Sequence, residues 1–392
     1  MTYLQAFVIA LVQGVSELFP VSSLGHSVLV PAWFGGSWQT MVTQSSQQDS
    51  GSSFYLAYIV ALHCATALAL MWYFRADWIR LIRGFLRSLP ASVRLILQER
   101  RPRLDVADKD ERLVWMIIFA TIPVGLVGAG LEHTFRTVFA KPEAAAVLLF
   151  VNGLILLGAE AMRRAAVRRR LAGVPASAGR PAQVFAAPGP PWTPATRAPG
   201  QAAVPGRYAG PPAHPADPGY AGPGHAGPGP ATIPMPAGAM AQPASHHRAA
   251  GSREAADIDA AEQADTRIAR LSYANAIVIG ATQILALLAG ISRSGVTIAG
   301  GLWRGLDHED AARFAFLLAT PVILAAGVLK VPSLFGPAGA HIHGQVVLGV
   351  IVCGIAAYLS VRFIMKWFET RTLTPFAIYC LAFGFLSITR FI

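Results

Sequence analysis

Long apolar blocks are the feature that most restricts what this chain can fold into. A helix needs about 20 apolar residues to cross the roughly 30 Å hydrocarbon core of a bilayer. Blocks of about that length lie at about 54–74, 113–132, 143–161, 312–331, 345–365 and 374–391. Charged residues make up only 14% of the 392 positions, against about a quarter in a soluble domain. The sequence therefore predicts an all-α polytopic membrane protein with six transmembrane helices.

Two further apolar blocks are broken midway. Residues 3–34 are interrupted at Pro20 and residues 271–303 at Gly290, and short polar residues surround both breaks. Irregular backbone at membrane depth survives only where protein or a wet cavity satisfies its hydrogen bonds. Each block is therefore interpreted as a re-entrant hairpin, in which two half-helices meet at a polar tip.

The segment 163–270 differs in composition from the rest of the chain. It opens with a basic run that starts at Arg163 and continues mostly in Ala, Pro and Gly. This composition supplies too little apolar surface to build a core. We predict a disordered cytoplasmic linker here, between a first membrane repeat at 1–162 and a second at 271–392.

The distribution of Lys and Arg predicts the orientation of the chain. Basic residues crowd the segment 75–112, whereas 36–53 and 333–344 contain none. Short basic loops remain in the cytoplasm, so the first segment is placed inside and the other two outside, together with both termini. The net charge of +11 is attributed to this topology and not to nucleic-acid binding. The two repeats then share one plan in opposite orientations, an inverted repeat with a site near the midplane.

A shift of 270 positions supports the repeat independently of charge. It aligns the two hairpins at Ala6 with Ala276, Val8 with Val278, Ile9 with Ile279, Gln13 with Gln283, Ser22 with Ser292, Gly25 with Gly295, and Ser27 with Thr297 in kind. Matched Gln, Ser and Gly residues at the breaks are harder to obtain by chance than matched Ala or Val. An internal duplication is the better explanation.

Ionisable residues lie inside both hairpins: Glu17 and His26 in the first and Arg293 in the second. Charge at membrane depth is costly, so it marks either a structural ion pair or a functional site. Hydroxyls and exposed backbone N–H groups at the starts of half-helices favour an anion site, and the candidate phosphate-binding residues are Ser22, Gly25, Ser292, Ser294, Gly295 and Thr297. The planar fork of Arg293 suits a phosphate in particular.

The spacing suggests catalytic roles. Ser23 is a candidate nucleophile, Glu17 the base that accepts its proton, and His26 the acid that protonates the leaving oxygen. Two alternatives stay open. In the first, water attacks the phosphate and the serines only bind it. In the second, Ser22 and Ser23 only cap a helix.

These motifs resemble the two signatures of the undecaprenyl-diphosphate phosphatase family, the BacA-type bacitracin-resistance proteins. The first runs from Gln13 to His26 as Gln-Gly-Val-Ser-Glu-Leu-Phe-Pro-Val-Ser-Ser-Leu-Gly-His, and the second runs from Ala289 to Gly295 as Ala-Gly-Ile-Ser-Arg-Ser-Gly. The resemblance spans both halves and skips the linker. It implies a plasma-membrane hydrolase that recycles the lipid carrier of peptidoglycan synthesis and confers bacitracin resistance. By position, the family's functional candidates fall on Gln13, Glu17, Ser23, His26, Ser292 and Arg293, with Thr297 as a polar neighbour.

The resemblance also sets expectations about partners. We expect a polyprenyl diphosphate substrate, membrane lipids, no nucleic acid and no organic cofactor, and we leave open a divalent cation (Mg²⁺ or Ca²⁺) and a homodimer. Gln13 is the non-acidic choice at its position, which weakens any scheme with two acidic metal ligands. Ala289 replaces the proline usual in the family, so the second break depends on Gly290.

Three further histidines stay outside the predicted site. His63 lies in the middle of a span, where a satisfied interior histidine is expected before a catalytic one. His341 and His343 form a His-x-His pair, but a metal site needs at least one further ligand.

Two rival functions remain. A different lipid-phosphatase superfamily places a nucleophilic His after its Ser-Arg element, but that position is Ala299 here. A transporter or flippase of the polyprenyl phosphate carrier is the stronger alternative, because broken helices in inverted repeats are a transporter's architecture. Residue chemistry favours the phosphatase, since reversible binding does not require proton-transfer groups.

Overall fold

The computed structural model describes residues 1–47, 54–99, 108–139, 141–172, 261–330 and 342–392. These residues belong to one compact unit, which consists of Met1–Gly173 and Ser252–Ile392. Another unit, Val174–Gly251, lies outside the described residues, as does most of the predicted linker.

All regular structure in the described residues is helical. The helices are α1 (Tyr3–Ser16), α2 (Ser23–Phe34), α3 (Gly36–Gln47), α4 (Phe54–Tyr73), α5 (Arg75–Glu99), α6 (Lys109–Phe139), α7 (Pro142–Ala172), α8 (Ala261–Ala269), α9 (Tyr273–Ala281), a 3₁₀ helix (Thr282–Leu287), α10 (Arg293–Trp303), α11 (His308–Lys330), α12 (His343–Phe368) and α13 (Thr374–Phe391). The prediction of an all-α protein is confirmed for these residues.

Six of these helices are long and apolar enough to cross a membrane. The candidate spans are Phe54–Tyr73, Lys109–Gly130, Pro142–Arg169, His308–Gly327, His343–Phe368 and Thr374–Phe391. Each overlaps one of the six apolar blocks, so the six predicted transmembrane helices are confirmed as candidate spans. Large apolar side chains remain exposed on their outer faces, for example Leu126 at 71% and Leu359 at 59%, as expected where lipid is the solvent.

Serine and threonine caps set where the short helices begin. Thr2 caps α1 in a reciprocal pair with Gln5, in which the Gln5 N–H donates to Thr2 Oγ1 and the Thr2 N–H donates to Gln5 Oε1. Ser22 caps α2 and Ser292 caps α10. Each of these two caps ends an interruption of the helical path. The first break is residues 17–22, and the second break is residues 288–292.

Close helix packing relies on glycine. A Cβ at Gly14 of α1 would lie 2.6 Å from the carbonyl oxygen of Cys353 in α12, and one at Gly280 of α9 would overlap the carbonyl of Ala120 in α6. Helix α7 approaches α13 in the same way at Gly153. Small residues that let backbones approach are the usual means of helix association in membranes, where the hydrophobic effect does not drive it.

The helix α8 corrects the predicted linker boundary. Residues 261–269, assigned to a disordered linker, form a helix that buries Ala264, Asp265 and Ile268. Asp265 lies 2.8 Å from the Nε of Arg313, a buried residue of α11. The composition of 163–270 as a whole hid this short helix, because the ion pairs that help to hold it join it to helices distant in the chain.

The basic segment 75–112 also has more structure than the sequence predicted. Its first 25 residues form α5, which presents Asp77 to Arg313 at 2.9 Å. Arg80 reaches Asp265 of α8 at 2.8 Å. The end of the linker is therefore attached to both α5 and α11 by charge-assisted hydrogen bonds.

Candidate active site

The two breaks are in direct contact. The Oγ of Ser22 accepts hydrogen bonds from the N–H of Gly25, three residues on, and from the N–H of Gly290 in the second break, both at 3.2 Å. Ser22 itself is strained, with φ at 71°, a conformation that costs energy for any residue other than glycine. The strain persists because this one side chain both caps α2 and joins the breaks.

Glycines allow this contact. A Cβ at Gly25 would lie 2.9 Å from the Cα of Gly290, closer than non-bonded carbon atoms approach. Gly290 has φ at 116° and packs against Leu148 and the carbonyl of Ala145 in α7. Glycine meets both the backbone and the space requirement here.

Asn152 of α7 bridges the two breaks from behind. Its Nδ2 donates to the carbonyl oxygen of Pro20 at 3.1 Å, and its Oδ1 accepts from the N–H of Ser292 at 3.0 Å. The side chain is completely buried. Sequence reasoning missed this residue, although an uncharged polar side chain in the middle of an apolar block was the available signal.

A small cavity lies where the breaks meet. Residues from both sides line it: Glu17, Ser23, Leu24, Ala286, Ile291, Ser292 and Arg293. Ser23 and Arg293 are the first residues of α2 and α10, so two helix N-termini meet at this cavity. Helix N-termini carry partial positive charge, which favours an anion between them.

Glu17 is the centre of a buried hydrogen-bond network. Ser23 Oγ donates a short hydrogen bond to Glu17 Oε2, and the Nε2 of Gln13 donates to the same oxygen at 2.9 Å. The Nε2 of His63, from α4, lies 3.3 Å away. A carboxylate that accepts the hydroxyl proton of a serine has the geometry of a general base beside a nucleophile.

Arg293 provides the cation of the cavity. Its Nη1 is buried and has no hydrogen-bond partner among the described residues. No salt bridge joins it to Glu17 in this part of the chain, where Glu17 pairs with His63 instead. A buried guanidinium N–H without a partner is costly, and an anion in the cavity would satisfy it.

Comparison with known proteins decides the family. The family described as bacitracin resistance protein BacA matches residues 6–189 and 249–386. The chain belongs to the BacA family. Among curated relatives, undecaprenyl-diphosphatase 2 of Frankia alni is 50% identical, with 100% of this chain and 98% of the relative aligned. Undecaprenyl-diphosphatase of Mycolicibacterium paratuberculosis is 43% identical (99% and 97%), and undecaprenyl-diphosphatase 2 of Chromobacterium violaceum is 31% identical (99% and 98%).

The BacA signatures do not all face the cavity. Ser294 Oγ donates to the carbonyl of Phe19 at 3.2 Å, and Thr297 Oγ1 donates to the carbonyl of Arg293 at 2.7 Å. Gly295 donates its N–H to the capping oxygen of Ser292 at 3.1 Å. These predicted phosphate-binding residues hold the second break and the start of α10 in place.

His26 also points away from the cavity of this BacA protein. Its Nδ1 lies 2.7 Å from the carbonyl oxygen of Ser22 and its Nε2 lies 2.7 Å from the hydroxyl of Tyr379. The ring stacks on Tyr379 and Phe383 of α13. Because the Ser22 carbonyl can only accept, Nδ1 carries the proton and Nε2 accepts from Tyr379. In this arrangement His26 holds the backbone of the first break.

The cavity does not fit a cation held by protein ligands. Among the described residues, no three His, Cys, Asp or Glu side chains cluster as metal ligands, and His341 of the predicted pair lies outside this set. Glu17 is the carboxylate that lines the cavity, and one of its oxygens is already occupied by Ser23 and Gln13.

Proposed function

We propose that this protein is an integral-membrane undecaprenyl-diphosphate phosphatase, which hydrolyses the lipid diphosphate to undecaprenyl phosphate and inorganic phosphate. The observation that carries the proposal is the unsatisfied Nη1 of Arg293 in a cavity shared with the Ser23–Glu17 pair. This cavity offers a site for an anion next to a hydroxyl and a base. The names of relatives aligned over their whole length support the lipid substrate.

The proposed reaction uses these residues as follows. The terminal phosphate sits between the starts of α2 and α10 and accepts hydrogen bonds from Arg293. Ser23 Oγ attacks the terminal phosphorus as its proton moves to Glu17, and undecaprenyl phosphate leaves with the electron pair of the broken P–O bond. Water then releases the phosphate from Ser23. Arginine stabilises the charge of the transferring group. Loss of one such donor lowers the rate by about 10²–10³-fold.

The proton-transfer geometry favours the phosphatase over the flippase. A carrier that only binds and releases a lipid phosphate has no use for a serine hydroxyl bonded to a buried carboxylate. Ser23 is placed in the cavity by the break itself, because Ser22 caps α2 and leaves Ser23 as its first residue.

We further propose that residues 3–34 and 271–303 are re-entrant hairpins of an inverted repeat. The packing is reciprocal: α1 of the first half packs on α12 of the second, and α9 of the second half packs on α6 of the first. Both contacts include a glycine at the closest approach, Gly14 and Gly280. A pseudo-two-fold axis in the membrane plane relates such pairs in inverted repeats.

The proposed location is the plasma membrane, with several spans, both termini outside and the linker in the cytoplasm. This orientation rests on the absence of Lys and Arg from 36–53 and 333–344 and their abundance in 75–112. In this setting the enzyme recycles the carrier of peptidoglycan synthesis and confers bacitracin resistance. A homodimer and a divalent cation (Mg²⁺ or Ca²⁺) stay predictions.

Phosphate release by the purified, detergent-solubilised protein tests the function. With a C55 lipid diphosphate as substrate, we expect the wild-type protein to release inorganic phosphate. We expect Ser23→Ala to be slower by about 100-fold or more, because the nucleophile is lost. Ser360→Ala removes a buried hydroxyl from α12, away from the cavity lining, and should behave as wild type. Wild-type protein that moves labelled lipid across vesicles without releasing phosphate would support the flippase instead.

A further inference from the structure

His63 contacts the catalytic network from a helix that neither signature includes. Its Nε2 lies 3.3 Å from Glu17 Oε2 and 3.3 Å from the Nε2 of Gln13. The side chain is 15% exposed, whereas that of Glu17 is 4% exposed. Ser23, Glu17 and His63 are therefore in contact in that order, and His63 is the end of this series that is more accessible to solvent.

The tautomer of His63 follows from its other contact. Its Nδ1 lies 2.8 Å from the carbonyl oxygen of Ile59, one turn earlier in α4. A carbonyl only accepts, so Nδ1 carries a hydrogen. In the neutral ring, Nε2 is then an unprotonated acceptor directed at Gln13 and Glu17.

Gln13 fits both protonation states of His63. Its Oε1 accepts from Ser27 Oγ at 3.4 Å, which orients the amide so that Nε2 faces Glu17 and His63. With His63 neutral, the two hydrogens of Gln13 Nε2 serve both neighbours. With His63 protonated, Nε2–H of the ring donates to Glu17 at the distance already present. The two side chains are therefore close enough for a proton to pass between them once the 3.3 Å separation shortens slightly.

The proposed reaction needs a second proton acceptor. Glu17 takes the proton of Ser23 in the first step, and in the second step it must take a proton from the attacking water and return one to Ser23 Oγ. Glu17 starts the second step as a free carboxylate base only if it has first given up the proton it already holds. Within the described part of the chain, no other carboxylate lines the cavity.

We propose that His63 is a positioning residue that accepts this proton from Glu17 and so restores the base between the two steps. The inference rests on the proposed function. In the first step the Oγ–P bond forms, the bond from the terminal phosphorus to the bridging oxygen breaks, and the Ser23 proton passes through Glu17 to His63 Nε2. In the second step water replaces Ser23 on phosphorus, its proton passes through Glu17 to Ser23 Oγ, and His63 releases one proton to solvent. The sum is one water consumed and one proton released per turnover.

The decisive variant is His63→Gln, which keeps a polar group beside Gln13 but accepts no proton at neutral pH. We expect kcat to fall at least tenfold and KM to fall with it, so that kcat/KM changes less than twofold, because only the second step is slowed. After rapid mixing with substrate labelled in the terminal phosphate, we expect protein-bound label to accumulate on Ser23. Accumulation of the phosphoenzyme is a result that a merely structural histidine would not produce.

His308→Gln is the matched control. His308 is also buried beside a carboxylate, with Nε2 2.8 Å from Glu160 Oε2, but neither residue lines the cavity. The kcat of the His308→Gln variant should stay within twofold of the wild-type value. Should His63→Gln lower the melting temperature, His63→Asn is measured in the same assays.

The outcomes separate the two proposals. Active wild-type protein with near-normal turnover in the His63 variants, or slow variants without accumulated label, overturns the role of His63 alone. Wild-type protein that releases no phosphate overturns the proposed function, and the role of His63 with it.

Discussion

The first break, residues 17–22, and the second break, residues 288–292, start the helices that follow them in the same way. Ser22 accepts the N–H of Gly25 at 3.2 Å, and Ser292 accepts the N–H of Gly295 at 3.1 Å. The first helical residue differs between the two. Helix α2 begins with Ser23, and α10 begins with Arg293. Equivalent positions after the two caps therefore present a hydroxyl on one side of the cavity and a cation on the other.

The glutamines that precede the breaks differ even more. The amide of Gln13 is bonded to Glu17, His63 and Ser27. The equivalent Gln283 is equally buried, but neither its Nε2 nor its Oε1 has a partner among the described residues. The position equivalent to Glu17 is Leu287. In the proposed reaction, the groups that transfer protons therefore belong to the first half, and the arginine that binds the anion belongs to the second.

Glu17→Gln should produce the largest effect on this division. We expect kcat to fall by about 1000-fold, since loss of a general base lowers the rate by about 10²–10⁴-fold. KM should change little, because Arg293 and the starts of both helices still bind the anion. Steady-state phosphate release measures both quantities. A variant that loses affinity for substrate while keeping kcat would break the comparison.

Arg293→Lys should produce the next largest effect. Lysine keeps the charge but not the planar fork, and bidentate phosphate sites do not tolerate that exchange. We expect kcat/KM to fall by about 100-fold, together with weaker inhibition by inorganic phosphate. The melting temperature serves as the folding control. Near-normal turnover in the lysine variant would refute the assignment of Arg293 to the transferring phosphate.

Substitution of the two glutamines should give the smallest effects, and opposite ones. Gln13→Leu removes a hydrogen-bond partner from both Glu17 and His63. It should lower the free energy of unfolding by about 2 kcal/mol and should also lower turnover. Gln283→Leu removes two unsatisfied polar atoms, so stability should stay equal or rise by up to about 1 kcal/mol with turnover unchanged. Thermal melts and phosphate release test the pair. Equal losses in both variants would show that the halves are functionally equivalent.

The six spans could be predicted because length and hydropathy alone determine whether a helix can cross a bilayer. The helices α5 and α8 could not. Each contains charged residues that count against burial, and each is held by pairs such as Arg313 with Asp265 that join segments far apart in the chain. Composition within a window carries no information about such partners.

At the site, the sequence placed Glu17, Ser23 and Arg293 near membrane depth, and all three line one cavity. His26 had the same motif-level support but is bonded to Tyr379, more than 350 residues away in sequence. Motif spacing gives the position of a side chain along a helix. It does not give the neighbours that determine where the side chain points.

The sequence by itself therefore determined the helical membrane class, the two breaks and the residue types proposed to bind an anion, because these depend on local hydropathy and on the cost of charge in lipid. Only the tertiary structure decided that Asn152 joins the breaks, that His63 reaches Glu17, and that Gln13 is bonded where Gln283 is not. These facts depend on which helices pack together. Packing at membrane depth is set by glycine contacts and buried hydrogen bonds between distant segments.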